Sequence, residues 1–477
     1  MSEPTLPQTE PRATLREVFA GRRGRLLIAL LLSEFGAAVQ GLAYSTVLPV
    51  TAADLHGSAL YGATLAAGSL SAVLVLSAGA GIVVRIRPAI LLFGATGLYV
   101  VGVLLAALAP TMSFVLAGNI VRGIAAGLLA GFGLSAIGGL FDDRTRPRVF
   151  GLFAMVWILP SFLGPAANAA ITLAFGWRWA VAWPVVIVVV ARILVGRQAD
   201  VIPWERAGER VRPLNGLIVV AGLVLASVGS GLVDAPSGTT RLTVAVALLA
   251  LGLIVSIAGS LRVIATAARS RGRFALIATF FLLCGGFFGL EGLLTVAVID
   301  GAGGSVAAGA VVLAAALVAW TLVALIPWNS WLSTPTRISA GCTVLVIGIA
   351  GEIAVQVVST GQVAVVAAAA AALFAGAGMG LAYPALSSAA FDALAPARVA
   401  VVATAVAFGE TAATSVGSLL GGGTYSLVSS GSGELTTRAG LVLSIALCGG
   451  AALGAVVLSR RTREASPAGA TAAPSSA

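Results

Sequence analysis

The chain has 477 residues, of which 59% are hydrophobic and only 10% are charged. Soluble domains carry about 25% charged residues, so a water-soluble fold is excluded because there are too few charges to cover its surface. The net charge of +10 does not indicate nucleic acid. Every basic residue is an arginine, and most arginines lie in short clusters between apolar runs, which is typical of membrane proteins.

Apolar stretches of about 18 or more residues recur from Leu26 to Leu458, and each can cross a hydrocarbon core of about 30 Å. Without water partners for the backbone, such stretches must be helices or the strands of a closed barrel. Barrel strands would be about ten residues of alternating polarity, whereas these stretches are longer and apolar on every side, which favours helices. The predicted spans are 26–49, 58–84, 88–109, 112–140, 149–175, 179–196, 213–233, 242–261, 274–299, 304–327, 338–358, 361–390, 399–428 and 437–459. The seventh and eighth are short, and without them twelve spans would remain.

The arginines also predict the orientation of the chain. Nearly all of them, Arg192 and Arg337 included, are assigned to one side of the membrane, and the other side receives only Arg178, Arg241 and Arg438. Because cytoplasmic loops carry the excess of basic residues, both termini are predicted to be cytoplasmic, which requires an even number of spans. The expected location is the cytoplasmic (plasma) membrane.

Short motifs repeat between the two halves of the chain at offsets of about 250 residues. The pairs are Gln40-Gly41-Leu42 with Glu291-Gly292-Leu293, Gly123 and Gly127 with Gly376 and Gly380, and Arg148-Val149 with Arg398-Val399. Transporters are commonly built from such repeats, and their substrate site lies at the interface of the repeats near the middle of the membrane.

The fold class predicted from these patterns is an all-α membrane protein with two six-helix bundles. The predicted units are a cytoplasmic tail at 1–25, an N-terminal bundle at 26–196, a linker with two additional transmembrane helices at 197–272, a C-terminal bundle at 273–459 and a disordered cytoplasmic tail at 460–477. The last segment is predicted to be disordered because it is rich in Ala, Ser and Pro.

Four motifs carry a resemblance to a known family. They are Thr46-Val47-Leu48-Pro49 followed by Ala53-Asp54-Leu55-His56-Gly57, Pro147-Arg148-Val149-Phe150, Leu163-Gly164-Pro165, and Gly176-Trp177-Arg178-Trp179. With them the chain resembles the major facilitator superfamily and, more narrowly, the fourteen-helix drug:proton antiporters of actinobacteria. The resemblance covers residues 26–459. It implies two six-helix bundles with two extra helices between them, and transport driven by a proton gradient without a cofactor.

The chain departs from the family pattern in two places. The loop after the second span, Gly79 through Pro88, lacks the acid of the family's cytoplasmic salt-bridge motif. In the fourth span, Asn119 fills the position of the family's arginine, and Arg122 follows on the same helix face. We expect Asn119 and Arg122 to serve gating or coupling, together with Gly164 and Pro165, where the missing hydrogen bond of proline and the small glycine allow a bend at a close-packed seam.

Four acids lie well inside predicted spans, and they are the candidates for proton coupling: Glu34, Glu291, Glu352 and Glu410. A charged side chain at the centre of a membrane helix costs at least about 2.5–3.5 kcal/mol, so such residues rarely face lipid. A carboxyl that is neutral in one state and charged in another can carry a proton through a transport cycle. The alternative is that these acids pair with Arg122 or bond to neighbouring helices and only stabilise packing.

Polar and aromatic residues near these acids form a candidate substrate cavity, which comprises Gln40, Tyr44, Trp157, Phe287 and Phe288. The alternative for each single aromatic residue is a position in the core or against lipid. The three cysteines are expected to be packing residues, and the single histidine, His56, a solvated loop residue. No metal site is predicted.

The leading function is therefore proton-coupled efflux of lipophilic or amphiphilic small molecules, as a monomer in the lipid bilayer and without nucleic acid. No phosphate-binding loop of the ATPase type, no metal-ligand cluster and no serine-histidine-aspartate set appears in the sequence, so an enzyme is not expected. One alternative is a carrier of a specific metabolite or lipid, although such carriers usually place several polar groups around the ligand. The other alternative is a membrane sensor that does not transport.

Overall fold

The structure is a computed structural model that describes residues 15–56, 60–83, 86–142, 145–156, 158–197, 213–232, 239–358, 360–429 and 434–462. Regular secondary structure within these ranges is entirely helical. After a one-turn helix, Leu15–Val18, there is a helix at each of the fourteen apolar intervals of the sequence. By length and hydropathy, 11 helical stretches of the described residues are suited to cross a membrane.

The first six of these helices belong to the N-terminal half. They are α1 (Gly21–Asp54), α2 (Tyr61–Val83), α3 (Pro88–Ala107), α4 (Met112–Leu140), α5 (Arg146–Val156 and Ile158–Phe175) and α6 (Trp177–Ala182 and Pro184–Gly196). Two further helices follow, α7 (Pro213–Gly231) and α8 (Thr239–Ala268).

The last six helices belong to the C-terminal half. They are α9 (Arg271–Val296, with a π-helical turn at Ala297–Gly301), α10 (Val306–Leu325), α11 (Thr334–Val358), α12 (Gly361–Ala389), α13 (Pro396–Ser418, continued by Leu419–Gly423 and Thr424–Ser429) and α14 (Glu434–Thr462).

Local chemistry explains where several helices begin. Ser270 and Ser305 cap α9 and α10, because each hydroxyl accepts a hydrogen bond from a backbone N–H one turn into the helix. Proline occupies the first turn of α3 and α13, where a missing N–H costs nothing. Gly176 adopts φ 90° between α5 and α6, a conformation that an L-residue with a side chain rarely takes.

The two halves pack their helices in the same pattern. In the first half α1 contacts α5 and α6, while α4 contacts α2 and α3. In the second half α9 contacts α13 and α14, while α12 contacts α10 and α11. The repeated glycines have equivalent positions: Gly123 of α4 lies against the backbone of α2 at Gly68, and Gly376 of α12 lies against the backbone of α10 at Ala316. Small residues at these sites let the helix backbones approach closely.

Contacts between the halves follow the same symmetry. Helix α13 contacts α2 and α4, and helix α5 contacts α10 and α12. Helices α7 and α8 pack tightly on each other through Gly222 and Gly252. Of the two, α7 contacts α2 and α8 contacts α13, so the pair lies against one of the two seams between the halves. Large apolar side chains such as Leu214 and Ile254 remain exposed on this pair, as expected for a surface that faces lipid.

Candidate functional site

Two of the predicted acids, Glu34 on α1 and Glu410 on α13, approach each other from opposite halves of the molecule. The carboxyl group of Glu34 interacts electrostatically with that of Glu410 and with the phenol of Tyr383 on α12. Both acids are half-buried. The candidate site therefore lies between the two bundles, where the internal repeat predicts the substrate site of a transporter.

The carboxyl group of Glu410 is held by one hydrogen bond from the C-terminal half. The Oη of Tyr383 donates to the Oε1 of Glu410 over 2.9 Å. Tyr383 precedes Pro384, which lies in the interior of α12 and cannot donate a hydrogen bond to the carbonyl of Gly380. The sequence analysis did not include Tyr383, although a Tyr-Pro pair inside an Ala- and Gly-rich span is a recognisable signal.

Aromatic side chains from three helices surround this hydrogen bond. The ring of Trp320 on α10 lies 5.3 Å from the ring of Phe287, 6.0 Å from that of Phe288 and 5.3 Å from that of Tyr383. The ring of Phe280 lies 5.0 Å from that of Tyr383. The predicted cavity residues Phe287 and Phe288 thus belong to one cluster with Tyr383 and Trp320, and the sequence analysis missed the last two.

On the N-terminal side, Glu34 interacts electrostatically with Arg192 of α6. The two helices are antiparallel neighbours, since a Cβ added at Gly36 would lie 2.8 Å from Cγ2 of Val188. Helical side chains point towards the N-terminus of their own helix. The side chain of Arg192 therefore points towards the level of Val188, and the side chain of Glu34 points towards the level of Arg192. This geometry brings the guanidinium and the carboxyl group together.

Arg192 and Arg337, both predicted for the arginine-rich side, lie within helices, and both side chains are buried. Helix α6 continues to Gly196, which places Arg192 inside it. Arg337 lies in the first turn of α11, and its Nε donates to the carbonyl of Leu381 on α12 over 2.8 Å.

Three further residues of the predicted site connect helices of the N-terminal half. The Nε2 of Gln40 donates to the carbonyl of Val181 on α6 over 3.3 Å. The Nδ2 of Asn119 donates to the carbonyl of Thr64 on α2 over 2.7 Å. The guanidinium of Arg122 lies beside Gly68 of the same helix α2. Asn119 and Arg122 therefore line the contact between α4 and α2.

The other two predicted acids are not joined to Glu34 and Glu410 by a described hydrogen bond or ion pair. Glu291 is half-buried on α9, one turn beyond Phe287. Glu352 of α11 is fully buried, and neither carboxyl oxygen has a hydrogen-bond partner among the described residues. One turn further, the Nε2 of Gln356 donates to the carbonyl of Ala297 on α9 over 3.3 Å.

Four predicted site residues have surroundings that fall outside the described part of the structure. Trp157 is not among the described residues, and for Tyr44, Gly164 and Pro165 only the helical backbone is described. The proposed cavity and hinge roles of these residues stay predictions. Among the described residues, no group of three or more His, Cys, Asp or Glu side chains is placed to hold a metal ion.

At the ends predicted to be cytoplasmic, the two halves are held together by a cluster around Phe391 and Asp392, in the connection between α12 and α13. Nη1 of Arg146, at the start of α5, lies 3.5 Å from Oδ1 of Asp392. The Arg146 guanidinium also lies 5.5 Å from the centre of the Phe391 ring, which stacks on Phe150 at 6.3 Å. The same ring covers Gly138 of α4, where an added Cβ would meet it at 2.5 Å. This cluster closes the interface at that end.

At the opposite ends, the described polar contacts stay within each half. Oδ2 of Asp54, the last residue of α1, accepts a hydrogen bond from Nε1 of Trp177 over 2.8 Å and lies 3.5 Å from Nη1 of Arg178. In the second half, Oδ2 of Asp300 accepts from Oη of Tyr425 over 2.7 Å, and Arg438 donates to the carbonyl of Gly301 over 2.9 Å. Each of these clusters therefore braces its own bundle.

Comparison with known proteins agrees with this architecture. A family model described as Major Facilitator Superfamily matches residues 26–418. A probable multidrug-efflux transporter of Mycobacterium tuberculosis (strain ATCC 25618 / H37Rv) is 30% identical over 142 residues, which cover 28% of this chain and 29% of that protein. A multidrug transporter protein of Bacillus subtilis (strain 168) is 24% identical over 182 residues, 37% of this chain and 34% of that protein. The matches therefore span only about a third of the length of these relatives.

Solved structures are similar over nearly the whole chain. A bacterial homologue of the iron transporter ferroportin in an outward-facing state has a TM-score of 0.67 at 11% identity, covering 93% of this chain and 100% of that chain. A human organic anion transporter has a TM-score of 0.65 at 14% identity, covering 92% and 100%. At such identities the similarity establishes the fold and not the cargo.

Proposed function

This chain belongs to the Major Facilitator Superfamily and is a multi-pass membrane transporter rather than an enzyme, and from that premise we propose that it exports lipophilic or amphiphilic small molecules in exchange for protons. The observation that carries the proposal is that Glu34 and Glu410, which come from opposite bundles, lie close enough for their charges to interact, and that Glu410 lies beside an aromatic cluster. A pair of acids in this position can exchange protons with both sides of the membrane if the bundles rock about the site.

The topology that goes with this function has fourteen spans, both termini in the cytoplasm of a plasma-membrane protein, and α7 and α8 outside two six-helix bundles. The fourteen helices, their contact pattern and the placement of the arginines support it. Cysteines introduced at Arg87 and Arg241 test it with a membrane-impermeant maleimide in intact cells. We expect labelling at Arg241 only, and labelling at Arg87 would contradict the orientation.

Transport by alternating access requires the closed end of the molecule to open. The contact between Arg146 and Asp392 joins the halves at the cytoplasmic end, whereas Asp54 and Asp300 make their described contacts within one half each. This arrangement corresponds to an outward-facing state of the transport cycle. Release of the Arg146–Asp392 contact and closure of the opposite end would produce the inward-facing state.

The nature of the cargo follows from how the buried amides are used. Side-chain nitrogens of Gln40, Asn119 and Gln356 donate to backbone carbonyls of neighbouring helices, and the amide oxygen of Asn168 accepts from Trp183 over 2.9 Å. One polar atom of each amide is thus engaged in helix packing, and the other is buried without a described partner, so these amides offer few accessible polar groups to a polar metabolite. An apolar cargo is favoured for this reason, and the names of the multidrug relatives support the same proposal.

The test is transport in vesicles that contain the purified protein, with an imposed proton gradient and a panel of lipophilic dyes. Glu34→Gln and Glu410→Gln keep the side-chain shape and remove the exchangeable proton. We expect both variants to lose uphill export while downhill exchange of a neutral compound persists. Glu352→Gln is the matched control, because no described hydrogen bond or ion pair joins the buried Glu352 to the other two acids, and this variant should pump at the normal rate.

The outcomes separate the remaining possibilities. If Glu34→Gln pumps normally, coupling passes to Glu410 or Glu291. If the glutamine variants of Glu34, Glu291 and Glu410 all pump normally, proton exchange through these acids is wrong and a differently coupled carrier or a facilitator is the better description. Vesicles in which no compound moves would support the alternative of a sensor.

A further inference from the structure

Glu352 of α11 is a fully buried acid outside the pair that Glu34 and Glu410 form. It is 0% exposed, and neither carboxyl oxygen has a hydrogen-bond partner among the described residues. Burying an ionised carboxylate without a partner costs far more free energy than burying a neutral acid. The side chain therefore needs either a proton or a cation to neutralise it.

The internal repeat shows that the fold itself does not require an acid at this position. Gly348 of α11 lies against the backbone of α12, and Gly102 of α3 lies against the backbone of α4 in the same way. This correspondence aligns Glu352 with Ala106, which is 0% exposed. Because a methyl group fills the equivalent place in the first half, packing alone does not explain the acid in the second half.

Two of the helices around Glu352 supply no positive charge at its level. Helix α12, which packs along α11, carries no charged residue. The charged residues in the outer half of α9 are Glu291 and Asp300, and Asp300 accepts a hydrogen bond from Tyr425. Both are acids, so they cannot neutralise an ionised Glu352.

Helix α14 supplies no positive charge at this level either. A Cβ added at Gly449 would lie 3.2 Å from Ile349, so Glu352 faces the turn of α14 that precedes Gly449. The titratable residue in that turn is Cys448, whose buried thiol brings no positive charge. Arg438 lies about 12 Å further out along the axis, at 1.5 Å per residue, and donates to a backbone carbonyl of α9. No side chain among the described residues of α9, α12 and α14 therefore neutralises Glu352.

Gln356 lies one turn beyond Glu352 on the same face of α11, where Cβ atoms are about 5–6 Å apart. Its Nε2 donates to the carbonyl of Ala297 on α9, whereas its buried Oε1 has no described hydrogen-bond partner. Oε1 can only accept a hydrogen bond, and an ionised carboxylate cannot donate one. A protonated Glu352 can donate, so a single proton satisfies both side chains. Metal ions that bind oxygen take about six ligands, but these two side chains offer only three oxygens between them.

We propose that Glu352 is a structural proton-binding site, in which the neutral acid donates to Oε1 of Gln356 and holds the Gln356 amide against α9. The carbonyl of Ala297 accepts from Nε2 of Gln356 and, over 3.0 Å, from the N–H of Ala302, which closes the π-helical turn. Without the proton the amide would turn, because Nε2 would donate to the carboxylate instead, and α11 would release the π-helical turn. The site goes beyond the proposed export function, since this proton stays bound throughout transport.

Infrared difference spectroscopy of the purified full-length protein in detergent at neutral pH detects the proton directly. The spectrum of Glu352→Gln is subtracted from that of the wild type, and we expect the difference to contain the carbonyl band of a protonated carboxyl group. Glu17→Gln is the control, because Glu17 is exposed, and it should leave that band unchanged. A difference that contains the bands of an ionised carboxylate instead would overturn the proposal, whether or not added sodium ions shift those bands.

The pH dependence of unfolding provides a second measurement. At neutral pH a glutamate in the unfolded chain releases its proton to water, whereas the folded protein keeps the proton on Glu352. The folded state thus binds more protons, and its stability falls as the pH rises. Relative to Glu352→Gln, the unfolding constant of the wild type should therefore rise with pH, by up to about tenfold per pH unit. Equal pH dependence of the two proteins, or a wild type that gains stability relative to the variant as the pH rises, would contradict the proposal.

Two further variants test the partner and guard against misfolding. Gln356→Met keeps the length of the side chain and removes the acceptor, so the protonated-carboxyl band should shift to that of an acid without a hydrogen bond. An unshifted band would overturn the pairing with Gln356. If Glu352→Gln does not fold, Glu352→Met removes the same acid and serves for the same subtraction.

Transport by Glu352→Gln separates this site from the proposed export function. The new glutamine can still donate to Gln356, as the neutral acid does, so normal export in vesicles supports a structural proton. Loss of export by this variant, while the wild type pumps, would show that the proton of Glu352 takes part in transport and would refute the structural role. If the wild type itself moves no cargo, the infrared and unfolding measurements still decide whether the site exists.

Discussion

The contact between Arg146 and Asp392 should control how often the end predicted to be cytoplasmic opens, and Asp392→Asn tests that effect. Arg146 also donates from Nε and Nη2 to the carbonyl of Phe141 over 3.2 and 2.9 Å within its own half. Replacing Arg146 would break those bonds too. Asp392→Asn keeps the side-chain size and removes the charge that spans the two halves, a charge that also acts on Arg273 of its own half.

The size of the effect follows from the geometry. Nη1 of Arg146 and Oδ1 of Asp392 are 3.5 Å apart, and the Asp392 side chain is 51% exposed. Two charges about 4 Å apart attract by about 1 kcal/mol in water and about 4 kcal/mol at an effective dielectric constant of 20. Because half of the Asp392 side chain faces solvent, the lower figure applies. A loss of about 1 kcal/mol changes the ratio of open to closed cytoplasmic ends about fivefold.

Distances between spin labels provide the assay. Labels on cysteines at Arg87 and Arg271 report the separation of α3 and α9 at the cytoplasmic end, and both positions are exposed. The native cysteines, Cys284, Cys342 and Cys448, are buried, so they add little background. We expect Asp392→Asn to raise the fraction of widely separated labels about fivefold, within the limit of full opening.

A matched control removes a similar ion pair that does not join the halves. Arg178 and Asp54 are also 3.5 Å apart, and the Asp54 side chain is 52% exposed. Asp54→Asn should leave the distance distribution unchanged. An unaltered distribution in Asp392→Asn, or an equal shift in both variants, would refute the reasoning.

Three further predictions concern packing, charge and the hinge. Gly376→Ala should lower the free energy of unfolding by about 1–3 kcal/mol, because the added methyl group meets the backbone of α10. The control is Gly292→Ala, whose added methyl group meets nothing within 4 Å. Thermal unfolding should show that this control changes the stability by less than about 1 kcal/mol. Arg192→Gln should abolish uphill export, because it removes the positive charge beside Glu34. Arg192→Lys keeps that charge and should retain part of the export. Normal export by Arg192→Gln would exclude this role. Gly164→Val should reduce the transport rate more than the yield of membrane-inserted protein, and unchanged rates at normal yield would argue against a hinge.

Helix positions could be predicted from the sequence because span length is a constraint of the bilayer. Helix ends could not be predicted in this way, since hydropathy identifies only the apolar part of a helix. Helix α8 was predicted at 242–261 and occupies Thr239–Ala268. The added turns carry Arg241 and Arg262, which can extend towards the aqueous boundary while their helix continues.

Arg192 shows why charged residues near helix ends are hard to assign. From the sequence, Arg192 is one arginine among several at the end of an apolar run, which assigns it to the arginine-rich side but identifies no partner for it. In the structure it is 7% exposed, because α1 packs along α6 and brings Glu34 to the same level. The pairing depends on the register of two antiparallel helices about 155 residues apart in sequence, and no local pattern carries that register.

The candidate site likewise has one part that could be predicted from the sequence and one part that could not. Buried acids are visible in sequence because charge within an apolar run is costly, and so Glu34 and Glu410 could be named. Which acids lie close together could not be predicted, and no pattern in the sequence joined Trp320 and Tyr383 to them. The aromatic cluster depends on the packing of α10 and α12 around α9, which tertiary contacts alone determine.

One of the four motifs that carry the family resemblance has a structural task. Trp177 and Arg178 of the Gly-Trp-Arg-Trp string both contact Asp54, and Nη2 of Arg178 donates to the carbonyl of Ala109 after α3 over 3.2 Å. The motif therefore ties the outer ends of α1, α3 and α6 together.

The second half braces its helix ends in the same way but with different residues. Asp300, in the last turn of α9, binds Tyr425 of α13, and Arg438 of α14 donates to the adjacent carbonyl of Gly301. Asp54 and Asp300 occupy equivalent helix ends, although their neighbours in sequence do not align. A rocking-bundle mechanism requires that each bundle move as a rigid unit, and a brace at the outer end of each bundle meets that requirement whichever residues supply it. A distinctive sequence motif thus marks the brace of one half. The residues proposed to handle cargo and protons lie elsewhere, between the bundles, where the sequence is less distinctive.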